Sequence, residues 1–242
     1  IHHALGKYRV FQSGHCDQEM IREVDGCRIA RHFSILAVDM DQKFKSGLVW
    51  FRRDLRLEDN VALLAALRDC ESVHCVFVFE RTILDPLPRA DRRVEFIRES
   101  VLALDATLRA QAANPHAGLI VLHGVATDDI PALARTLKVQ AVYMAHDYEP
   151  QSMARDAVVK HALANSGIAW VSVKDHVIFE RDEVLTQAGK PYTVFTPYKR
   201  AWLARLGDTP PASQPCPVLA SRLMPRPPEH RQPIPTLASL GF

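Results

Sequence analysis

Five short apolar runs, separated mostly by longer stretches with helical spacing, restrict this chain more than any other feature of its sequence. They fall at 48–51, 73–79, 119–122, 141–144 and 170–173, and most are rich in β-branched or aromatic residues, as strands buried on both faces should be. Helical patterns lie between them. Asp59 can cap a helix running through Leu67. Within 91–110, Val94, Ile97, Val101, Leu104 and Leu108 recur at spacings of three and four, which puts them on one stripe. Thr127 or Asp128 can cap a helix that carries Pro131 in its first turn and ends near Leu137. Residues 150–164 read as a further helix, closed by Asn165-Ser166-Gly167. Such alternation calls for parallel strands joined by right-handed crossovers. The expected fold is therefore α/β: an open, doubly wound, Rossmann-like sheet of five parallel strands with helices on both faces. The order 3-2-1-4-5 follows by analogy with nucleotide-binding sheets. There are too few units for an eight-stranded barrel.

The flanks differ from this middle. Residues 1–45 read as an irregular amino-terminal extension: the chain begins with Ile, and 1–39 mix His, Cys, Arg and Gly without periodicity. Met40 immediately precedes the orderly pattern, so translation is expected to start there. The α/β region occupies 46–206. From 207 to 242 the chain carries nine of its sixteen prolines, a density that blocks helix continuation and sheet ladders and favours extended, linker-like segments.

Composition excludes little. A net charge of +2 over 242 residues does not by itself point to nucleic acid. No apolar run reaches the roughly 18 residues of a membrane span, and no signal peptide is legible; a cytoplasmic protein without membrane partners is expected. Cys16, Cys27, Cys70, Cys75 and Cys216 share no metal-like spacing, and His146 and His161 lack partners at metal or triad spacing. Neither a metal site nor a catalytic residue is expected. Trp170 and Trp202 read as core.

The feature most in need of a function is the run Arg52-Arg53-Asp54-Leu55-Arg56 straight after the first apolar strand. In an open parallel sheet the carboxyl ends of the strands are where ligands gather. No G-x-G-x-x-G or G-x-x-x-x-G-K-[ST] follows any strand, so common dinucleotide or P-loop chemistry is not expected. Lone ions away from water are costly, so Arg52, Asp54 and Arg56 are expected to form buried or half-buried charge pairs, within this domain or to a further one, with Asp54 set between the two arginines.

Three stretches then carry a resemblance. "LVWFRRDLRLEDN" (48–60), "AHDYEPQSMARD" (145–156, a Y-E-x-x-x-x-x-R-D pattern) and "GKPYTVFTPYKRAWLARL" (189–206, an F-T-P-[FY]-x-x-x-W pattern) resemble, in family order, segments of the DNA photolyase/cryptochrome family. The resemblance covers about residues 46–242 and implies the amino-terminal α/β, or antenna, domain of a deoxyribodipyrimidine photolyase. It implies that this domain packs beside a larger helical domain that binds FAD and lies beyond this sequence. It also implies that damaged DNA is met only by the full-length protein, where a light-excited reduced flavin splits a flipped-out pyrimidine dimer. The charged elbow would lie near the junction of the two domains, which would leave an apolar strip exposed on the isolated α/β domain.

What the resemblance implies for this chain is a light-harvesting role, with an antenna chromophore held near the ends of strands one, two and four. Methenyltetrahydrofolate, a deazaflavin and FMN are the candidates. Such a ring needs apolar walls and a few polar anchors, and the residues placed to supply them are Phe79, Leu84, Leu87, His146, Tyr148, Glu149, Gln151 and Ser152. Ser152 stands where the folate-binding branch has a carboxylate, and the loop after strand two lacks that branch's histidine, which weakens the folate assignment. Two other classes fit the same residues: a cryptochrome-type blue-light photoreceptor, and a free-standing nucleotide-binding module. The second is disfavoured by "FRRDLR" standing where a phosphate loop belongs.

Overall fold

The computed structural model describes residues 43–208, 212–214 and 221–242. Expectations for 1–42, including the start at Met40, and those for Cys16, Cys27 and Cys216, lie outside the described residues. The sheet has five parallel strands in the order β3-β2-β1-β4-β5. They are β1 (Phe44–Phe51), β2 (Cys70–Glu80), β3 (Leu119–Gly124), β4 (Ala141–Ala145) and β5 (Ala169–Val173). The crossovers are α1 (Val61–Asp69), a short α2 (Arg81–Leu84) followed by α3 (Arg92–Gln111), α4 (Ala126–Thr136) and α5 (Pro150–Ala164). After β5 come α6 (Phe195–Leu206) and a final turn of helix, α7 (Leu237–Leu240). No helix among the described residues is long and apolar enough to cross a membrane.

Period-two alternation along the strands sorts the core into two layers. On one face Val49, Phe51, Phe77 and Phe79 pack with Leu63 and Leu67 of α1 and with Val94, Val101, Leu104 and Leu108 of α3. On the other, Leu48, Trp50, Val76, Val78, Val142 and Met144 meet Ile130 and Leu133 of α4 and Val159 and Leu163 of α5. Burying each of these larger side chains contributes about 1.5–3 kcal/mol. Gly47 lets β1 pass the start of β2, since a Cβ there would sit 2.6 Å from the Cys70 sulfur.

Two helix starts differ from the sequence-based expectation. Asn60, not Asp59, caps α1 by accepting from the Leu63 N–H at 2.8 Å, while Asp59 takes a left-handed turn conformation (φ 53°). At α4 neither Thr127 nor Asp128 is the cap. The helix opens at Ala126, whose N–H donates to Glu80 Oε2 at 3.0 Å. The cap thus comes from the end of β2, a partner that no local pattern could reveal. Pro131 consequently lies inside the helix rather than in its first turn.

The last described segment returns to the domain. The first residues of β2 extend beyond β3, and the tail occupies part of that free edge: Val73 donates to Arg222 O at 2.8 Å and accepts from Met224 N–H at 2.9 Å. Leu223, Ile234 and Leu240 join the core layer that holds α1 and α3. Trp202, expected in the core, is only half-buried; it meets Phe179 edge-on, 5.4 Å between ring centroids. Trp170 is half-buried and packs on the α4–α5 layer.

Candidate functional site: the carboxyl edge of the sheet

The charged elbow follows β1 at the carboxyl edge of the sheet and stitches three segments together. Arg52 places Nη1 on both oxygens of Asp156 in α5, at 2.6 and 2.7 Å, and donates Nη2 to the Ala145 carbonyl at the end of β4. Arg155 also pairs with Asp156, at 3.0 Å, and the guanidinium carbons of Arg52 and Arg155 lie 4.8 and 5.0 Å from the Trp50 ring centroid. Arg53 reaches Glu149 at 2.6 Å and Asp147 at 3.4 Å. Arg56 forms a two-point pair with Asp175 beyond β5, whose side chain is fully buried, at 2.8 and 2.9 Å. Burial opposes the Arg56 charge, yet the Asp175 contact, with the nearby Asp54 and Asp59 carboxylates, offsets it and its pKa rises. Asp54 differs from the expected arrangement. It forms no ion pair with either arginine; its carboxylate accepts from the Arg52 N–H at 2.8 Å and from the Asn60 amide at 3.1 Å. Asp54 shapes the turn, and the arginines do the stitching.

Between β1 and β4 this stitching leaves no space for a ligand: Arg52, Arg53, Ala145, His146, Asp147 and His176 close the crevice. Asp147 also accepts from the Tyr148 N–H at 2.8 Å. Burial pushes the Asp147 carboxyl up, but Arg53, the Glu149 N–H and the Ser152 hydroxyl hold it below its ordinary value.

Beside the sealed crevice lies an open cleft of about 1140 Å³, larger than most small-molecule sites. Trp50, Phe77, Phe79 and Leu84 form apolar walls, and Ile83 and Phe96 stand exposed along the lining. Arg53, Arg56, Arg93 and Arg155 bring positive charge, while the buried Glu80 is held by the Thr82 hydroxyl and the Ala126 N–H. Of the residues singled out from sequence, Phe79, Leu84, Glu149, Gln151 and Ser152 line this cleft. Leu87 packs on the core instead. His146 and Tyr148 are also absent from its lining: both bond Glu180 Oε2, at 2.7 and 2.6 Å. Burial and that carboxylate raise the Tyr148 pKa.

The family model for DNA photolyase matches residues 47–217. The chain belongs to the DNA photolyase family. It is 35% identical over 166 residues to a deoxyribodipyrimidine photo-lyase of Synechococcus, covering 69% of this chain and 34% of that protein. A bacterial class III photolyase from Agrobacterium tumefaciens superposes with a TM-score of 0.64 at 29% identity, over 78% of this chain and 37% of that one. An archaeal photolyase from Sulfolobus tokodaii, described as holding two FAD molecules with the implication of a novel light-harvesting cofactor, superposes with a TM-score of 0.50 at 31% identity. That match covers 57% of this chain and 32% of the other. The chain thus spans about a third of the length of these photolyase relatives.

Two photolyase-like motifs, distant in sequence, meet at this edge through Arg52–Asp156 and Arg53–Glu149. Sequence reasoning missed Trp50, Phe77, Ile83, Arg93, Phe96 and Arg155 as lining. Trp50 and Phe77 read as strand core, and Arg93 and Phe96 fall on the face of α3 away from its apolar stripe.

Proposed function

We propose that residues 46–206 form the light-harvesting domain of a photolyase, with the cleft beside β1 and β2 as the seat of an antenna chromophore. Residues 207–242 would then lead toward a FAD-binding helical domain of the full-length protein, through which damaged DNA would be met and cyclobutane pyrimidine dimers repaired. A cytoplasmic location goes with this reading. The observation that carries it is the combination of aromatic walls with arginines in one large cleft at the carboxyl edge of the sheet, where open parallel sheets hold ligands.

The residues fit a flat ring with an anionic tail. Trp50, Phe77 and Phe79 can flank a ring, Ile83 and Phe96 can cover it from water, and Arg53 or Arg93, now paired with the exposed Glu149 and with Asp91, can turn to a phosphate or carboxylate. FMN, a deazaflavin with an acidic tail and methenyltetrahydrofolate share that outline. Ser152 is already engaged with Asp147, which favours the flavin-type candidates over a pterin anchored at that position. The flavin-containing relative from Sulfolobus points the same way. The bound group would absorb near-ultraviolet or blue light and pass the energy on; this chain's residues would bind, orient and shield it.

The test is retention. The purified chain is mixed with each candidate, passed through a desalting column and scanned for absorbance. One chromophore should co-elute near one per chain, and Arg93→Gln should weaken its hold about tenfold, the equivalent of one lost charge-assisted contact. Loss of all three candidates on the column would contradict the proposal.

A further inference from the structure

Arg226 is a buried cation without an ion-pair partner among the described residues. It is 5% exposed, its Nε has no hydrogen-bond partner, and no carboxylate forms an ion pair with its guanidinium. The backbone around it is fixed. Its N–H donates to the His116 carbonyl at 2.9 Å, its own carbonyl accepts from Arg231 Nε at 2.9 Å, and Pro225 bridges Ala117. The acid that acts on it is Asp105, but both Asp105 oxygens are engaged: one accepts from the Leu119 N–H at 2.8 Å, the other pairs with Arg109 at 2.9 Å. Arg109 and Arg231 add charge of the same sign. Three guanidinium groups thus act on one another around a single carboxylate that is ion-paired with Arg109 alone.

An arginine does not escape burial by losing its proton, and an uncompensated buried ion costs several kcal/mol. We propose that Arg226, with Arg109 and Arg231, forms a binding site for an oxoanion, either a phosphate or a carboxylate group. A guanidinium offers planar two-point donation suited to such a group. The site lies at the amino-terminal start of β3 and the last turn of α3. The chromophore cleft lies past the other end of β3, at Val125 and Thr127, so the two are separate. The oxoanion could be free in solution or be borne on an acidic side chain of a polypeptide.

Thermal unfolding of the whole chain in inorganic phosphate, acetate and chloride at matched ionic strength tests this. A saturable rise in Tm of about 3 °C or more with phosphate or acetate over chloride is expected at about 20 mM. The stronger response identifies the source: phosphate a free oxoanion, acetate a carboxylate such as a peptide supplies. Arg226→Met should abolish the response while unfolding at the same or a higher temperature in chloride, because an apolar side chain replaces an uncompensated ion. Arg231→Gln, at an exposed position, keeps the buried residue and should weaken the anion at least about threefold. Equal responses to all three salts would overturn the proposal. So would an undiminished response in Arg226→Met or, should that variant fail to fold, in Arg231→Gln.

Discussion

The two crevices flanking the end of β1 are neighbours with opposite properties. On the β4 side, side chains from the elbow and the β4–α5 turn close the space with ion pairs. On the β2 side, aromatic walls enclose about 1140 Å³. The elbow serves both: Arg52 and Arg53 seal one crevice and line the other. An open sheet of this order changes direction between β1 and β4, where the general rule puts the ligand. Here the ion pairs displace the open volume toward β2. Dense charge after an apolar strand thus acts as a clamp that builds the neighbouring wall.

The largest way to break the contrast is Asp156→Asn. It leaves Arg52, whose side chain is 8% exposed, without its carboxylate. The expected loss is about 3 kcal/mol, or about 6–12 °C in Tm. A loss near zero by denaturant titration would mean that the seal is not structural.

Acid should show that β2, which walls only the open cleft, has its own sensitivity. Burial lowers the His74 pKa from 6.5 to about 4. The unfolded chain takes up that proton more readily, so this contribution to stability is full above about pH 6.5. It is lost as pH falls toward 4, by at most about 3 kcal/mol. Replacing His74 with Leu should flatten this part of the stability–pH curve, and an unchanged slope would assign the effect elsewhere.

Phe96→Glu tests the open side alone. Phe96 is 73% exposed, so folding should be barely altered while chromophore retention falls about tenfold. Ile83 is 51% exposed, and on α6 Phe195 and Leu203 are exposed as well. The chain is expected to self-associate through such surface, and Phe96→Glu should reduce this in sedimentation experiments. The smallest effect is expected for Arg53→Gln. Its side chain is half exposed, its Glu149 partner more so, and its contact to the buried Asp147 is long at 3.4 Å, so the loss should stay under about 1 kcal/mol.

How much of this was legible follows from where each signal lives. Two-residue and 3.6-residue periods are local, so the strands, the apolar stripe of α3 and the bounds of α5 could be read directly. The cap of α4 could not, because Glu80 delivers it from another element. The same distinction divides the site. Phe79 and Leu84 follow from being near the end of β2. His146 and Tyr148 stand at the right strand end but turn to Glu180, which lies 34 and 32 residues away in sequence. Arg93 and Phe96 look like a solvated helix face until α3 is placed beside the cleft. The arginines of the elbow carried a visible demand for partners; that these would be Asp156 and Asp175 rather than Asp54 needed the fold.

The most direct measurement is a chemical-shift map of the labelled chain titrated with whichever chromophore it retains. Perturbations centred on Trp50, Phe77, Phe79 and Phe96, with His146 and Tyr148 unmoved, are the expected result. Perturbations confined to His146, Tyr148 and Glu180, with the aromatic cleft silent, would contradict the division of the sheet edge into one closed crevice and one open one.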